Sequence, residues 1–435
     1  MSSILFVEKK LRTDKLGILY LSRILKDAGH KVDLVQDDLD NTDQYLRRNH
    51  VDFIIYSVTT GDHEWYIKRN RELKKRHKFS SIMGGPHFTY YPEDGLSDST
   101  VDYVVIGPGE DVILDIVKGR MKDRGVMGHI PNDINKIPTP DRSILYKYGE
   151  FGKAGIKRFI AGRDCPNSCK YCFNHLYHRL YQKEKEKFFQ ITSPDKMIQE
   201  IKEVRETYGL KLAYFNDDDL ARDHNWLVEF CEKYKKEVGL PFCGSIRANN
   251  VDYNILKIMA DAGCCFLNIA LESANPKTQK FLRRGNITNR QIEEACYACG
   301  KLGIKVRLQN MIGLPVENPL EDALETLEFN LKINPTDSWA SIFQPFPKTD
   351  LWEYCIQKGL IGEGTQCKNF YEDTVLTIPD AEKINRLHKW WFFIVKYQMP
   401  MEMVRILLEL PLTNEQKSKI QNLRWEIAKD LLYRI

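Results

Sequence analysis

No apolar run in this 435-residue chain approaches the roughly 20 residues needed to span a bilayer. The longest, WWFFIV from Trp390 to Val395, is bounded by Lys389 and Lys396 and reads as a buried helix segment, so no membrane role is expected. The opening MSSILFVEKK lacks a basic stretch followed by a long apolar one; it predicts a first strand, not a secretory signal, and hence a cytoplasmic protein. An excess of one charge is also missing. Lys and Arg number 64 against 60 Asp and Glu, a net of +4 that argues against a charge-driven nucleic-acid partner. The runs KKRHK (74–78) and KEKEK (183–187) are then solvated faces. A disulfide framework is excluded on the same footing, because cytoplasmic thiols stay reduced and an odd total of 11 cysteines is no puzzle.

What the chain does have is alternation. SILFV, KVDLV, VDFIIYSVTT, SIMGGPH and VDYVVIGPGE are strand patterns in the first 120 or so residues, with a helical pattern from Leu16 to Gly29 between the first two. This predicts a doubly wound, Rossmann-like parallel sheet with its ligand beyond the carboxyl ends of the strands. Those ends are Glu8 to Lys15, Ser57 to Gly61 (with Thr59 and Thr60), Gly84 to His87 (with Gly85 and Pro86) and Gly107 to Glu110 (with Gly109). Glycine at 84, 85, 107 and 109 permits close backbone approach by a flat or phosphate-bearing ligand, or simply serves the turns.

Residues 121–150, irregular and proline-containing, read as a linker. From there to residue 355 six further strand patterns alternate with helices: 156–161, 211–215, 242–246, 266–270, 305–311 and 338–344. They predict a partial (β/α)6 barrel, followed by a helical C-terminal region over 356–435.

Eight cysteines, at 231, 243, 264, 265, 296, 299, 355 and 367, are scattered among apolar neighbours and are expected to fill core. Cys165, Cys169 and Cys172 are different. Their spacing fits a helix face, but Pro166, Asn167 and Ser168 disfavour a helix there, and the segment follows the first barrel strand, where such folds place active sites. A zinc site could recruit His175 or His178, although structural zinc usually takes two separated ligand pairs and no second pair is present. A [4Fe-4S] cluster on three thiolates would leave one iron open.

CxxxCxxC with Tyr171 before the last cysteine resembles the signature of the radical S-adenosylmethionine (radical SAM) enzymes. The resemblance extends over residues 155–355, through FNDDD (215–219), SIRAN with Arg247, IALESAN with Glu272 and Ser273, MIGLPVE and FQPFPKTDLWEY. It implies that Cys165, Cys169 and Cys172 hold a [4Fe-4S] cluster whose open iron chelates SAM. SAM would then meet Tyr171, Phe173, Asp217, Asp218, Arg247, Glu272, Ser273, Gln309 and Gln344.

The first 120 residues resemble the partner domain of the cobalamin-dependent branch, on MGGPHFTYYPE and VDYVVIGPGE. This implies cobalamin at Ser57, Thr59, Thr60, Gly84, Gly85, Pro86, His87, Gly107, Gly109 and Glu110. DxHxxG, which elsewhere supplies a histidine to cobalt, does not occur in this half, and His63 and His87 are expected to be lining residues. The implied activity is methyl transfer to an unactivated carbon, or to phosphorus, of a small molecule or peptide. Cyclisation, ring contraction or another rearrangement, and a non-enzymatic metal module, are the alternatives. An external electron donor such as flavodoxin or ferredoxin is implied as partner. The two cofactor sites, each at a strand-end edge, could face each other across the linker.

Overall fold

The structure is a computed structural model; it describes residues 1–433 except 12 and 363, with side chains described through residue 428. Strands β1 (Ser3–Glu8), β2 (Lys31–Gln36), β3 (Phe53–Ser57), β4 (Ser80–Gly84), β5 (Tyr103–Ile106) and β6 (Gly125–Met127) form one sheet. Its order is β2-β1-β3-β4-β5-β6 and every pair is parallel. Parallel strands need helical crossovers, which bury both faces, and the strands accordingly read as unbroken apolar runs. Ile4 and Phe6 pack on one face with Leu16, Leu19 and Leu25; Leu5 and Val7 pack on the other with Tyr66 and Leu73. The strand order reverses between β1 and β3, so the crevice for a ligand opens at the carboxyl ends of those two strands.

A second sheet, also of six strands, contains β7 (Ile156–Phe159), β8 (Leu212–Phe215), β9 (Phe242–Ile246), β10 (Cys264–Glu272), β11 (Lys305–Ile312) and β12 (Asp337–Ile342). Its order, β12-β11-β10-β9-β8-β7, follows the chain, as expected of a (β/α) barrel left open on one side. β11 alternates strictly: Val306, Leu308, Asn310 and Ile312 are buried while Lys305, Arg307, Gln309 and Met311 are partly exposed. One face of the strand thus packs and the other lines a more open interior. The helix Ala381–Lys396 buries Trp391, Phe392, Ile394 and Val395, as its WWFFIV core predicts.

The chain divides into two compact units, residues 1–163 with 180–211, and residues 164–179 with 212–435. This corrects the linker reading of 121–150. Gly125–Met127 adds edge strand β6 to the first sheet, and Arg142, 2% exposed, is ion-paired to Asp14 and Glu200 and bonded to the Arg158 carbonyl. Burying a guanidinium is costly without such partners, so this stretch is packed structure. In the C-terminal region the helices Asp350–Gln357 and Ala381–Lys396 match expectation, Met401–Glu409 was not anticipated, and the last helix runs Asn414–Tyr433; residues 434–435 lie outside the described residues.

Candidate functional site

Between β7 and the helix Phe173–Leu180 the chain is irregular, as Pro166-Asn167-Ser168 predicts. Non-cysteine residues hold this loop at both ends. Asp164 sits at φ 73°, a left-handed conformation rare outside glycine, and its carboxylate accepts from the Cys165 N–H (2.7 Å) and the His178 ring (2.8 Å). Its carbonyl accepts from Arg222 Nη1 at 2.6 Å. At the other end the Lys170 N–H donates to the Leu282 carbonyl (3.2 Å), and its carbonyl accepts from the Leu351 N–H (3.0 Å).

Cys169 is buried; Cys165 and Cys172 are partly exposed. Burial pushes the Cys172 thiol up to about 12, offset in part by a backbone hydrogen bond at Asn174, and Cys169 and Cys165 push it the same way. Cys165 is also raised by burial, within electrostatic reach of Asp218 and Arg247. Cys165 and Cys172 thus bear a cost of ionisation that metal coordination removes, since a bound metal deprotonates its thiol ligands. They do not suit one zinc ion. Tetrahedral zinc at about 2.3 Å from each sulfur needs sulfurs within roughly 4 Å. Among the described residues the one set of potential ligand atoms lying within 4.8 Å of each other is His63, His87 and Asp94, not these thiols. His178 is taken by Asp164, and His175 lies against Arg179 (3.0 Å) and Asp350 (3.4 Å). A polynuclear cluster, whose ligands are spread over several irons, fits the donor set.

A buried charge array stands beside Cys169. Arg284, 4% exposed, directs Nη1 to the Tyr171 hydroxyl (3.3 Å) and toward Cys169 Sγ (3.9 Å), and Nη2 to the Ala270 carbonyl (2.5 Å). The Tyr171 hydroxyl donates in turn to Glu272 Oε1 at 3.0 Å. Glu272 ends β10 just past a bulge, at φ 68°. Backbone strain of this kind persists where surroundings over-determine it and gathers at functional sites. Burial raises the Glu272 carboxyl, with Arg284 and Tyr171 opposing.

The other residues expected around SAM divide. Arg247 is buried, bonded through Nη2 to Asn286 (3.1 Å) and within electrostatic reach of Cys165 and Glu272. Asp218 is exposed and accepts from Asn174 Nδ2 at 2.8 Å, while Asp217 is buried. It is Asp219 that accepts from the Arg247 N–H (3.3 Å) and from Asn250. Gln344 is 3% exposed; its Oε1 accepts from the Lys368 N–H, and its Nε2 is buried with no partner. Gln309 is partly exposed on the open face of β11, and Phe173 packs on Phe346 with ring centres 5.0 Å apart. Ser273 is fully buried; its hydroxyl donates to Asp322 and accepts from the Asn275 N–H, which places it in the framework behind Glu272. Asp164, Arg222 and Arg284 were not anticipated, because nothing local in RDC, LARD or LRRGN distinguishes them.

In the first sheet, two of the four strand-end glycines have no room for a side chain. A Cβ on Gly85 (φ 92°) would lie 2.7 Å from the Val58 nitrogen, and one on Gly107 (φ 85°) 1.6 Å from the Tyr181 hydroxyl. Their close approaches are made by the chain itself. Tyr181 donates to the Gly128 carbonyl at 2.8 Å, and Glu110 pairs with Arg163 (2.7 Å). His87, 2% exposed, has both ring nitrogens engaged, by Thr60 Oγ1 (3.2 Å) and Asp94 (3.0 Å), and stacks on His63 at 4.0 Å. Ser57, Thr59, Thr60, Gly84, Pro86 and Gly109 remain at least partly exposed. At the same edge, Glu8 Oε1 and His63 Nδ1 are buried without partners. Glu8, ending β1, is wholly buried and its carboxyl raised by that burial, although Lys15 and Tyr66 bind it. Unsatisfied buried polar atoms at a switch point fit a ligand that brings its own hydrogen-bonding groups, as the amide-fringed corrin of cobalamin does.

A doubly wound sheet with a strand-end crevice, together with an open barrel carrying three thiols after its first strand, defines a two-cofactor enzyme of the radical type. The chain belongs to the cobalamin-dependent radical SAM enzymes: residues 159–329 match the Radical SAM superfamily and residues 3–117 the B12 binding domain. It is 25% identical over 425 residues to an uncharacterized methyltransferase of Pyrococcus horikoshii, covering 91% of this chain and 90% of that protein. It is 23% identical over 340 residues to the bacteriochlorophyllide d C-8(2)-methyltransferase of Chlorobaculum tepidum, covering 73% and 68%. Its fold is similar to that of the radical S-adenosylmethionine methyltransferase TsrM of Kitasatospora setae, solved with cobalamin and a [4Fe-4S] cluster bound (TM-score 0.66, 16% identity, covering 82% and 78%).

Proposed function

We propose that this enzyme transfers a methyl group to an unactivated carbon, or to phosphorus, of a small molecule or peptide. One observation carries the reading: a single chain joins a three-thiol loop unsuited to a lone ion with a strand-end crevice that leaves buried polar atoms unsatisfied. When bound, the cluster with SAM supplies a 5'-deoxyadenosyl radical, and cobalamin supplies the methyl group. Cys165, Cys169 and Cys172 hold the first, with Arg284 balancing charge beside Cys169. Arg247, Glu272, Gln309 and the free Nε2 of Gln344 would meet SAM, with Tyr171 bonded to Glu272. The cobalamin domain would comprise the first sheet with its edge strand β6, and the radical SAM domain the second sheet, β7 to β12. Among the described residues no helix is long and apolar enough to cross a membrane, and we place the enzyme in the cytoplasm, served by an external electron donor.

Cobalamin in this reading would be held without a nitrogen from His87, because both of that ring's nitrogens are already engaged. Protein loaded with hydroxocobalamin is expected to retain it through gel filtration, and electron paramagnetic resonance of the reduced Co(II) form to show no nitrogen splitting. A clear nitrogen pattern contradicts this, and its loss in His63→Ala identifies the ligand. Formation of S-adenosylhomocysteine beside 5'-deoxyadenosine in anaerobic turnover separates methyl transfer from rearrangement, which gives none.

A further inference from the structure

Reductive cleavage of a sulfonium takes up one electron, which must enter near the cysteine loop. The surface there is uneven in charge. Through its two backbone bonds, Lys170 holds Leu282 on one side and Leu351, at the start of the helix Asp350–Gln357, on the other. Around these contacts Lys280, Arg283, Arg179 and Lys358 are all exposed, the Arg179 and Arg283 side chains by 49% and 41%. Asp350, 11% exposed, pairs with both arginines, and Glu353 is the exposed acid of its helix. Lys280 and Lys358 have no ion pair among the described residues. Two partly exposed rings lie among the cations: Lys170 Nζ is 4.4 Å from the centre of Phe281, Phe281 is 5.0 Å edge-on to Tyr354, and Lys358 Nζ is 5.8 Å from Tyr354. Aromatic side chains at the centre with charge at the rim are the anatomy of a docking surface, and a cationic rim selects an acidic partner.

We infer that this face, formed by Lys170, Arg179, Lys280, Phe281, Arg283 and Lys358, docks an acidic one-electron carrier protein. The inference rests on the cysteines being cluster ligands. One electron leaves the carrier, which is oxidised, and enters the cluster, which is reduced; no bond is made or broken and no proton moves. Lys170, partly exposed and adjacent in sequence to Cys169, links this face covalently to a ligand.

The test uses flavodoxin as the carrier and the full chain, wild type and Lys280→Glu/Lys358→Glu. Neither lysine touches the cysteines, Glu272 or Arg284. Because electrostatic steering raises association rates by about 10- to 1,000-fold, the double variant is expected to bind flavodoxin at least about ten-fold more weakly at low salt. The difference should close as salt rises. Binding does not require a loaded cluster, so this result stands apart from the function reading. In cluster-loaded protein, reduction by flavodoxin should slow by a similar factor while reduction by dithionite does not change. Equal affinity of the two proteins for flavodoxin overturns the inference, as does preference of this face for a single-stranded oligonucleotide over flavodoxin.

Discussion

Replacing any one of Cys165, Cys169 and Cys172 with alanine is expected to abolish cleavage of SAM, whereas wild-type protein reconstituted without oxygen takes up about four iron atoms per chain. The loop that carries the thiols is tied by Asp164, His178, Arg222, Leu282 and Leu351, none of which depends on a sulfur ligand. The apo variants should therefore melt close to apo wild type, which separates loss of the cluster from loss of the fold. A cluster held by three thiolates loses one of its protein ligands in each variant, and a remaining pair cannot substitute for three. Iron content and SAM cleavage measured on the same preparations check the claim. Tight uptake of one zinc per chain with no iron would sink it.

Arg284→Met should be the most damaging change outside the cysteines. It leaves Glu272 buried against Tyr171 with only the weaker influence of Arg247, and removing one partner from a buried charge array costs up to about 3–5 kcal/mol. The sign of its pH dependence follows from the carboxyl. Burial already raises Glu272, and losing Arg284 raises it further, so the folded variant keeps a proton that the unfolded chain releases. The deficit is then smallest in acid and grows as pH rises through and above the ordinary carboxylate range. Denaturant unfolding of the apo protein at pH 5 and pH 8 measures it. A deficit that is equal at both, or larger at pH 5, would show that Arg284 does not act through Glu272. Arg284→Lys, which keeps the charge but not the fork to Ala270 and Tyr171, should recover part of the stability.

How far the sequence could be read depended on how local each feature is. The cysteines sit in one short stretch after a strand, so their spacing and the interposed Pro-Asn-Ser were legible without any tertiary information. Buried parallel strands are plain apolar runs, and β9 falls where its pattern lies. Arg284 was invisible because its role exists only when the segment after β10 folds back on Cys169. Three consecutive aspartates, 217 to 219, offered no way to tell which one would turn inward to hold the Arg247 backbone, since strand alternation stops where the strand does. Gly85 and Gly107 could be read for a ligand or for the turns, because a glycine reports only that something comes close, and Val58 and Tyr181 do. β6 escaped notice because three residues with one buried side chain leave too little pattern.

Methyl transfer is tested most directly by anaerobic turnover with SAM labelled in its methyl group, screened against candidate substrates. Each turnover is expected to give one 5'-deoxyadenosine, one S-adenosylhomocysteine and a product carrying one intact labelled methyl. Deoxyadenosine formed with a product of unchanged carbon count, and no S-adenosylhomocysteine, would contradict methyl transfer and assign the same residues to a rearrangement.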